Sequence, residues 1–272
     1  MNQTLTTADG LTLHVRAWPR ADARGSVLMV HGLGEHIGRY AHVATQFNAW
    51  GWNAIGYDQR GHGASQGARG ALVRPDDLLR DLALVIDAVR ANHPGPLILF
   101  GHSMGGLVAA RFVAERLRTV DALVLSSPAL DTGMTAFQKL LLAVLGPIAP
   151  NLAVGNGLKP AWISRDPAVV AAYRADPLVH DRITPRLARF IVDAGDFVRA
   201  RAAQWAVPTL LLYAGRDRCV APAGSAALAT AAPKRVLTAR EFAPLFHEIF
   251  NEPEQREVFG VLGDWLSSGR GS

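Results

Sequence analysis

One cysteine in 272 residues rules out an internal disulfide, so a buried core has to hold this chain together unaided. A chain of this length manages that, burying roughly three quarters of the surface its unfolded form exposes. Long apolar runs are missing as well. The most apolar, from Leu140 to Ala149, is about half the length that crosses a bilayer and is broken by Gly146 and Pro147. The first twenty residues contain no basic segment followed by an apolar stretch, so the sequence reads as that of a cytoplasmic protein, in keeping with the lone thiol Cys219. Charge of one sign is sparse: 28 basic against 23 acidic residues leave a formal +5, and the basic residues are nearly all arginine and scattered. A nucleic-acid binder would gather Lys and Arg on one element among aromatics, and the absence of such a stretch excludes nucleic acid as a partner.

What the chain does have is a rhythm. Gln3–Thr7 and the alternating run Leu11–Trp18 flank the turn pair Asp9-Gly10, which predicts a hairpin. Ser26–His31 is continuously apolar until its last residue, as a strand covered on both faces would be. A helix near Tyr40–Trp50, a strand Asn53–Asp58, a helix Pro75–Asn92, a strand Pro96–Phe100, a helix Met104–Leu117 and a strand Ala122–Ser126 follow. This alternation predicts an α/β fold with a doubly wound, mostly parallel sheet. From about Asp131 to Trp205 the rhythm breaks into helical pieces separated by Pro and Gly, with no convincing strand. It resumes with a strand Pro208–Ala214, a helix near Ala223–Thr230, a strand Arg235–Phe242 and a closing helix Glu252–Leu266. The expected organisation is a core in two parts, 1–130 and 206–272, interrupted by a helical cap insertion at 131–205.

The sequence Gly101-His102-Ser103-Met104-Gly105-Gly106 stands where a strand should hand over to a helix. A nucleophile on so tight a turn takes strained backbone angles, and side chains two residues to either side would collide, which accounts for Gly101 and Gly105. Such a turn lifts the Ser103 hydroxyl clear of the sheet. The first free amide of the helix, that of Met104, would point where an oxyanion forms. A phosphate-binding turn is the other reading of this stretch, but it lacks both a Walker lysine and G-x-G-x-x-G.

A serine hydroxyl needs a base. Of nine histidines, His102 should leave the turn in another direction, whereas His247 falls in the loop after the last strand, among bulky apolar residues that exclude water. The base in turn needs a carboxylate. Asp217 stands just past the strand Pro208–Ala214, at the sheet edge where open α/β sheets assemble their sites, and Asp131 is the alternative. The loop His31-Gly32-Leu33-Gly34-Glu35-His36 should bring a second oxyanion amide, that of Leu33. Its two histidines and Glu35 form a poor zinc pattern, and neither a metal nor a cofactor is expected. Cys219, two residues beyond Asp217, reads as a small buried filler that could instead face the site.

Together His31–His36 with Arg39-Tyr40, Asp58-Gln59-Arg60-Gly61-His62-Gly63-Ala64-Ser65, Gly101–Gly106 and His247-Glu248 resemble the monoacylglycerol lipase and lysophospholipase branch of the α/β-hydrolases, the serine-aminopeptidase-like superfamily. Ser164-Arg165-Asp166 and Ala175-Asp176-Pro177-Leu178 resemble that family's helical cap, while Phe242-Ala243-Pro244-Leu245-Phe246 departs from it by its proline. The resemblance implies an eight-stranded α/β-hydrolase sheet with the cap inserted after strand 6. It also implies a cofactor-free serine carboxylester hydrolase acting on monoacylglycerol, lysophospholipid or similar acyl esters, with a triad of Ser103, Asp217 and His247, and oxyanion amides at Leu33 and Met104. Asp58 and Arg60 are expected to pair locally as scaffold.

The apolar opening of the insertion, Phe137–Ile163, suits an acyl chain, at roughly 0.8 kcal/mol per buried methylene, and suits transient contact with a lipid surface. Two other functions fit the same fold. An amide or peptide hydrolase of the proline iminopeptidase type would use acidic cap residues (Asp166, Asp176, Asp181, Asp193, Asp196) to catch an amine. A non-catalytic receptor would need no triad, yet all three positions are filled.

Overall fold

The computed structural model describes residues 2–269. Asp9-Gly10 turns between β1 (Asn2–Thr6) and β2 (Thr12–Trp18), which pair antiparallel, Gly10 taking a φ of +84°. The chain then winds through β3 (Ser26–Val30), α1 (Ala41–Ala49), β4 (Asn53–Tyr57), α2 (Asp77–Asn92), β5 (Leu97–His102), α3 (Ser103–Ala114) and β6 (Ala122–Ser126). After the insertion come β9 (Thr209–Ala214), α7 (Pro222–Ala231), β10 (Leu237–Phe242) and α8 (Gln255–Ser267). The main sheet has eight strands in the order β1-β2-β4-β3-β5-β6-β9-β10. β1 and β2 run antiparallel to their neighbours, and the other strands are parallel.

The apolar strands are continuous because both sheet faces are covered, and alternate residues feed separate clusters. Leu28, Val30, Leu97, Leu99, Leu123 and Leu125 pack with α2 and α3. Val27, Met29, Ile98, Phe100, Ala122 and Val124 face the opposite way and pack with Phe47 of α1 and Val258, Leu262 and Trp265 of α8. The start of α2 is fixed by Asp77, whose carboxylate accepts from the amides of Val73 and Arg74, so the helix begins two residues later than Pro75 suggests.

Between β6 and β9 the chain adds no strand to the main sheet. It forms α4 (Ala136–Leu145), α5 (Pro167–Ala175) and α6 (Pro185–Ala200). Each begins with a side-chain cap, from Thr135, Asp166 and Thr184 respectively. The expectation of no strand here is corrected by a short ribbon, β7 (Val154–Gly155) with β8 (Arg182–Ile183), which pair antiparallel. The ribbon is too short and too polar to show in a hydrophobic pattern. Its backbone seats the segment on the core: His180 N–H donates to Gly34 O, and Thr184 N–H to Gly70 O. No helix among the described residues is long and apolar enough to cross a membrane.

Candidate active site

β5 passes directly into α3, and Ser103 at the junction has a φ of +54°, a left-handed conformation that a residue with a Cβ rarely holds. The flanking glycines are there for space. A Cβ on Gly105 would lie 2.2 Å from Val30 O, and one on Gly101 would lie 2.6 Å from Gly105 O. Ser103 is half-buried and lines a cavity of about 460 Å³ together with Leu33, His102, Cys219 and His247. The Met104 side chain is buried in the core, and as the second helical residue it carries an amide without an intrahelical acceptor.

His247, after β10, and Asp217, after β9, arrive from parallel neighbouring strands, and His247 Nδ1 donates to Asp217 Oδ2 at 2.6 Å. The other carboxylate oxygen of Asp217 accepts from the amides of Cys219 (2.8 Å) and Val220 (3.0 Å), which fixes its orientation. Asp131, the alternative acid, instead accepts from Gly133 N–H, within its own loop. Burial works to lower the His247 pKa. The charge of Asp217 and its hydrogen bond outweigh it, leaving the imidazole above its ordinary 6.5.

His102 does not turn away as its sequence position suggested. Its ring lies 4.7 Å from that of His247, and Nδ1 meets Ser126 Oγ at 3.0 Å. Burial and the neighbouring His247 lower its pKa to about 4, so it stays neutral.

The Leu33 loop is held by a network that the sequence motifs contained but did not reveal. Glu35 Oε1 accepts from Gly32 N–H and from Tyr40 Oη–H, each at 2.7 Å, and Oε2 accepts from Arg39 at 2.6 Å. Arg39 also donates twice to Glu248, at 2.7 Å each, immediately beside His247. One buried guanidinium therefore ties the loop after β3 to the loop after β10. Burial alone would raise Glu35, but Arg39 outweighs it and holds the carboxyl at about 2. The signal was the spacing of Glu35 and Arg39, one helical turn apart, together with Glu248 in the His247 motif.

His31, Glu35 and His36 do not converge as ligands. His31 accepts from Gln59 N–H, and His36 pairs with Asp176 at 2.8 Å across to the insertion. The pairing expected between Asp58 and Arg60 is also absent. Asp58 accepts from the amides of Ile37 and Ala64, while Arg60 binds Asp9 in the β1–β2 turn and Asp77 and Asp81 of α2.

Asp217, Cys219 and His247 offer donor atoms within 4.8 Å of one another. Burial, with Asp217 adding, pushes the Cys219 thiol up, and the short Nδ1 bond already engages Asp217. A carboxylate held on Nδ1 in this way can orient the imidazole and stabilise its protonated form. Cys219 is half-buried and faces the cavity, so it is not a buried filler.

Residues 21–254 match the family described as serine aminopeptidase, S33. The chain is 37% identical over 264 residues to a monoacylglycerol lipase of Mycolicibacterium smegmatis, covering 95% of this chain and 94% of that one. It is 30% identical over 237 residues to the phospholipase YtpA of Bacillus subtilis, covering 86% and 91% respectively. The crystal structure of the Paleococcus ferrophilus monoacylglycerol lipase superposes with a TM-score of 0.86 at 35% identity, covering 94% of this chain and 98% of that one. The chain belongs to the serine aminopeptidase, S33, family and has the α/β-hydrolase fold.

Proposed function

We propose that this protein is a serine carboxylester hydrolase acting on monoacylglycerols, lysophospholipids or similar acyl esters. The observation that carries the reading is the 2.6 Å bond between His247 and Asp217 in the cavity that Ser103 lines from a strained strand-to-helix turn. Ser103 Oγ attacks the ester carbonyl while His247 takes its proton. Asp217 holds the ring in one tautomer and stabilises the imidazolium. The amides of Leu33 and Met104 receive the oxyanion, the protonated His247 passes its proton to the departing alcohol, and water then attacks the acyl-enzyme by the same route. No cofactor takes part.

Residues 131–205 act as the cap that shapes the acyl site. Leu158 belongs to the cavity lining and is 37% exposed, and the same segment of the insertion also exposes Phe137, Leu140, Val144, Ile148 and Leu152. This segment is the part that meets a lipid interface, so that an acyl chain passes from lipid to cavity without crossing water.

Of the five cap carboxylates, Asp176 and Asp181 line the cavity, and each has a cationic or imidazole partner, His36 and Arg182 respectively. The other three lie elsewhere: Asp166 caps α5, Asp193 pairs with Arg189 and Asp196 with Arg199. Ser103→Ala is the direct test of the ester chemistry. It should leave a folded protein whose turnover of p-nitrophenyl butyrate is near background, and retained turnover would refute the nucleophile.

A further inference from the structure

The loop after β3 that carries the Leu33 amide is gripped from two sides, and only one of them belongs to the core. From the core, Glu35 accepts from Gly32 N–H at 2.7 Å. From the insertion, His180 N–H donates to Gly34 O at 2.9 Å. The two backbones are so close that a Cβ on Gly34, whose φ is +76°, would lie 2.3 Å from His180 O. Leu33 stands between these two held residues and lines the cavity.

His36, at the end of the same loop, adds a side-chain tie. Its Nδ1 accepts from Gly38 N–H at 3.2 Å, capping the turn Ile37–Tyr40, so the neutral imidazole carries its proton on Nε2. That nitrogen donates to Asp176 Oδ2 at 2.8 Å, across 140 positions of sequence. Asp176 directly follows α5, and its other carboxylate oxygen accepts from Leu178 N–H at 2.9 Å, which fixes the group at the head of the segment 176–180. The far end of that segment is fixed as well: His180 Nε2 donates to Gly61 O at 3.1 Å while Nδ1 accepts from Arg182 N–H at 3.1 Å. The His36 and Asp176 side chains are 12% and 25% exposed, so their bond to each other escapes most of the screening that weakens surface pairs.

An oxyanion donor acts only from the right place, and a misplacement of about 1 Å at a reacting centre costs on the order of 10²-fold in rate. We propose that His36 and Asp176 are positioning residues for the Leu33 amide: together with the His180–Gly34 backbone bond, they hold the oxyanion loop from the insertion, so that the amide is in place only while the segment 176–180 is seated. The insertion thereby takes part in the chemical step as well as in shaping the acyl site. The proposal rests on the acyl-ester reading, in which that amide receives the oxyanion. Neither side chain makes or breaks a bond in the reaction. Among the described residues, Asp176 borders the cavity and His36 does not, so a like effect from both reads the loop and not a contact with substrate.

The test uses the full chain and variants that spare local structure. His36→Asn keeps an acceptor for Gly38 N–H but is too short to reach Asp176, and Asp176→Ser keeps one for Leu178 N–H but is too short to reach His36. Each should lower kcat for p-nitrophenyl butyrate by about tenfold while KM changes less than about twofold, and the double variant should be no slower than the slower single one, because both break the same bond. His36→Gln keeps a donor near the place of Nε2 and Asp176→Asn keeps an acceptor, so both should recover most of the wild-type kcat. Asp193→Ala, which breaks the pair with Arg189 elsewhere in the insertion, should leave kcat unchanged. An alkyl trifluoromethyl ketone gives a second readout: Ser103 Oγ adds to its carbonyl, His247 takes the hydroxyl proton, and the hemiketal oxygen carries the negative charge. Its affinity should fall by the same factor as kcat, whereas the matching methyl ketone, which is not attacked, should bind all forms alike.

A lower Tm in His36→Asn with kcat and trifluoromethyl ketone affinity at the wild-type level would make the tie merely structural and overturn the positioning role. An effect confined to Asp176→Ser and to KM would make Asp176 a substrate contact, with the same consequence. In both cases the wild type remains an active hydrolase. A wild type that neither turns over the ester nor forms the trifluoromethyl ketone adduct would instead overturn the hydrolase reading, and the positioning role with it.

Discussion

Ser103 is held in a backbone conformation that costs stability, and Gly101 and Gly105 are the residues that make it sterically attainable. His247 is the other residue shaped by its surroundings, since Asp217 raises its pKa against the effect of burial. In the proposed mechanism, a protonated His247 could not accept the Ser103 proton. Hence kcat/KM for a soluble ester should fall on acidification with a midpoint above 6.5, and His102, at about 4, should contribute nothing in that range. Asp217→Asn removes the charge that opposes burial. It should move the midpoint to lower pH and reduce kcat/KM by on the order of 10³-fold or more, measured as a pH–rate profile of p-nitrophenyl butyrate hydrolysis. A midpoint that does not move would mean that Asp217 does not set the proton affinity of the base.

The loops that follow β3, β5, β9 and β10 meet at one edge of the sheet because parallel strands end on the same side. Their relative placement depends on Arg39, which bonds Glu35 on one side and Glu248 on the other. Arg39→Met leaves two buried carboxylates without their cation. It should destabilise the fold by about 3–5 kcal/mol in denaturant titrations and lower kcat more than it raises KM, since both the Leu33 amide and His247 lose their support. Gly105→Ala should yield little folded protein, because its methyl carbon would sit 2.2 Å from Val30 O.

This edge was legible in the sequence wherever the signal was local. The strand-turn-helix setting of Ser103, the placement of Asp217 and His247 after apolar strands, and the glycines of the Leu33 loop all lie within a few residues of the pattern that reveals them. Arg39–Glu248 spans 209 positions, and Arg60 chooses Asp9, Asp77 and Asp81 over Asp58. Such choices follow from where the elements come to rest in three dimensions, and no local periodicity encodes them. The β7–β8 ribbon was invisible for a different reason: two residues per strand are too few to alternate.

Of the insertion, α6 packs Leu187, Phe190, Ile191, Ala194 and Val198 into the core cluster on one face of the sheet, whereas the opening stretch presents apolar side chains outward, with Phe137 71% and Ile148 75% exposed. Replacing both with Asp should weaken sedimentation with phosphatidylcholine vesicles several-fold and lower the rate on emulsified relative to monomeric ester.

Acid should also unsettle the fold. His31, His42, His62, His102 and His180 all have pKa values lowered chiefly by burial, whereas His247 alone is raised. A histidine with a depressed folded pKa takes up its proton more readily when unfolded, so its share of stability is present above about 6.5 and is lost as pH falls toward its folded value. Five such groups outweigh the one that works in the opposite sense. Tm should therefore drop by about 5 °C or more between pH 7 and pH 5, and a flat profile would contradict the buried neutral histidines.

The claim beneath all of this is that a single hydroxyl, activated from the far end of the chain, does the chemistry. Treating the folded protein with a fluorophosphonate and reading the intact mass followed by peptide mapping tests it most directly. The account predicts one stoichiometric adduct, on Ser103, formed slowly or not at all in His247→Ala. No adduct, an adduct on another residue, or labelling indifferent to His247 would contradict it.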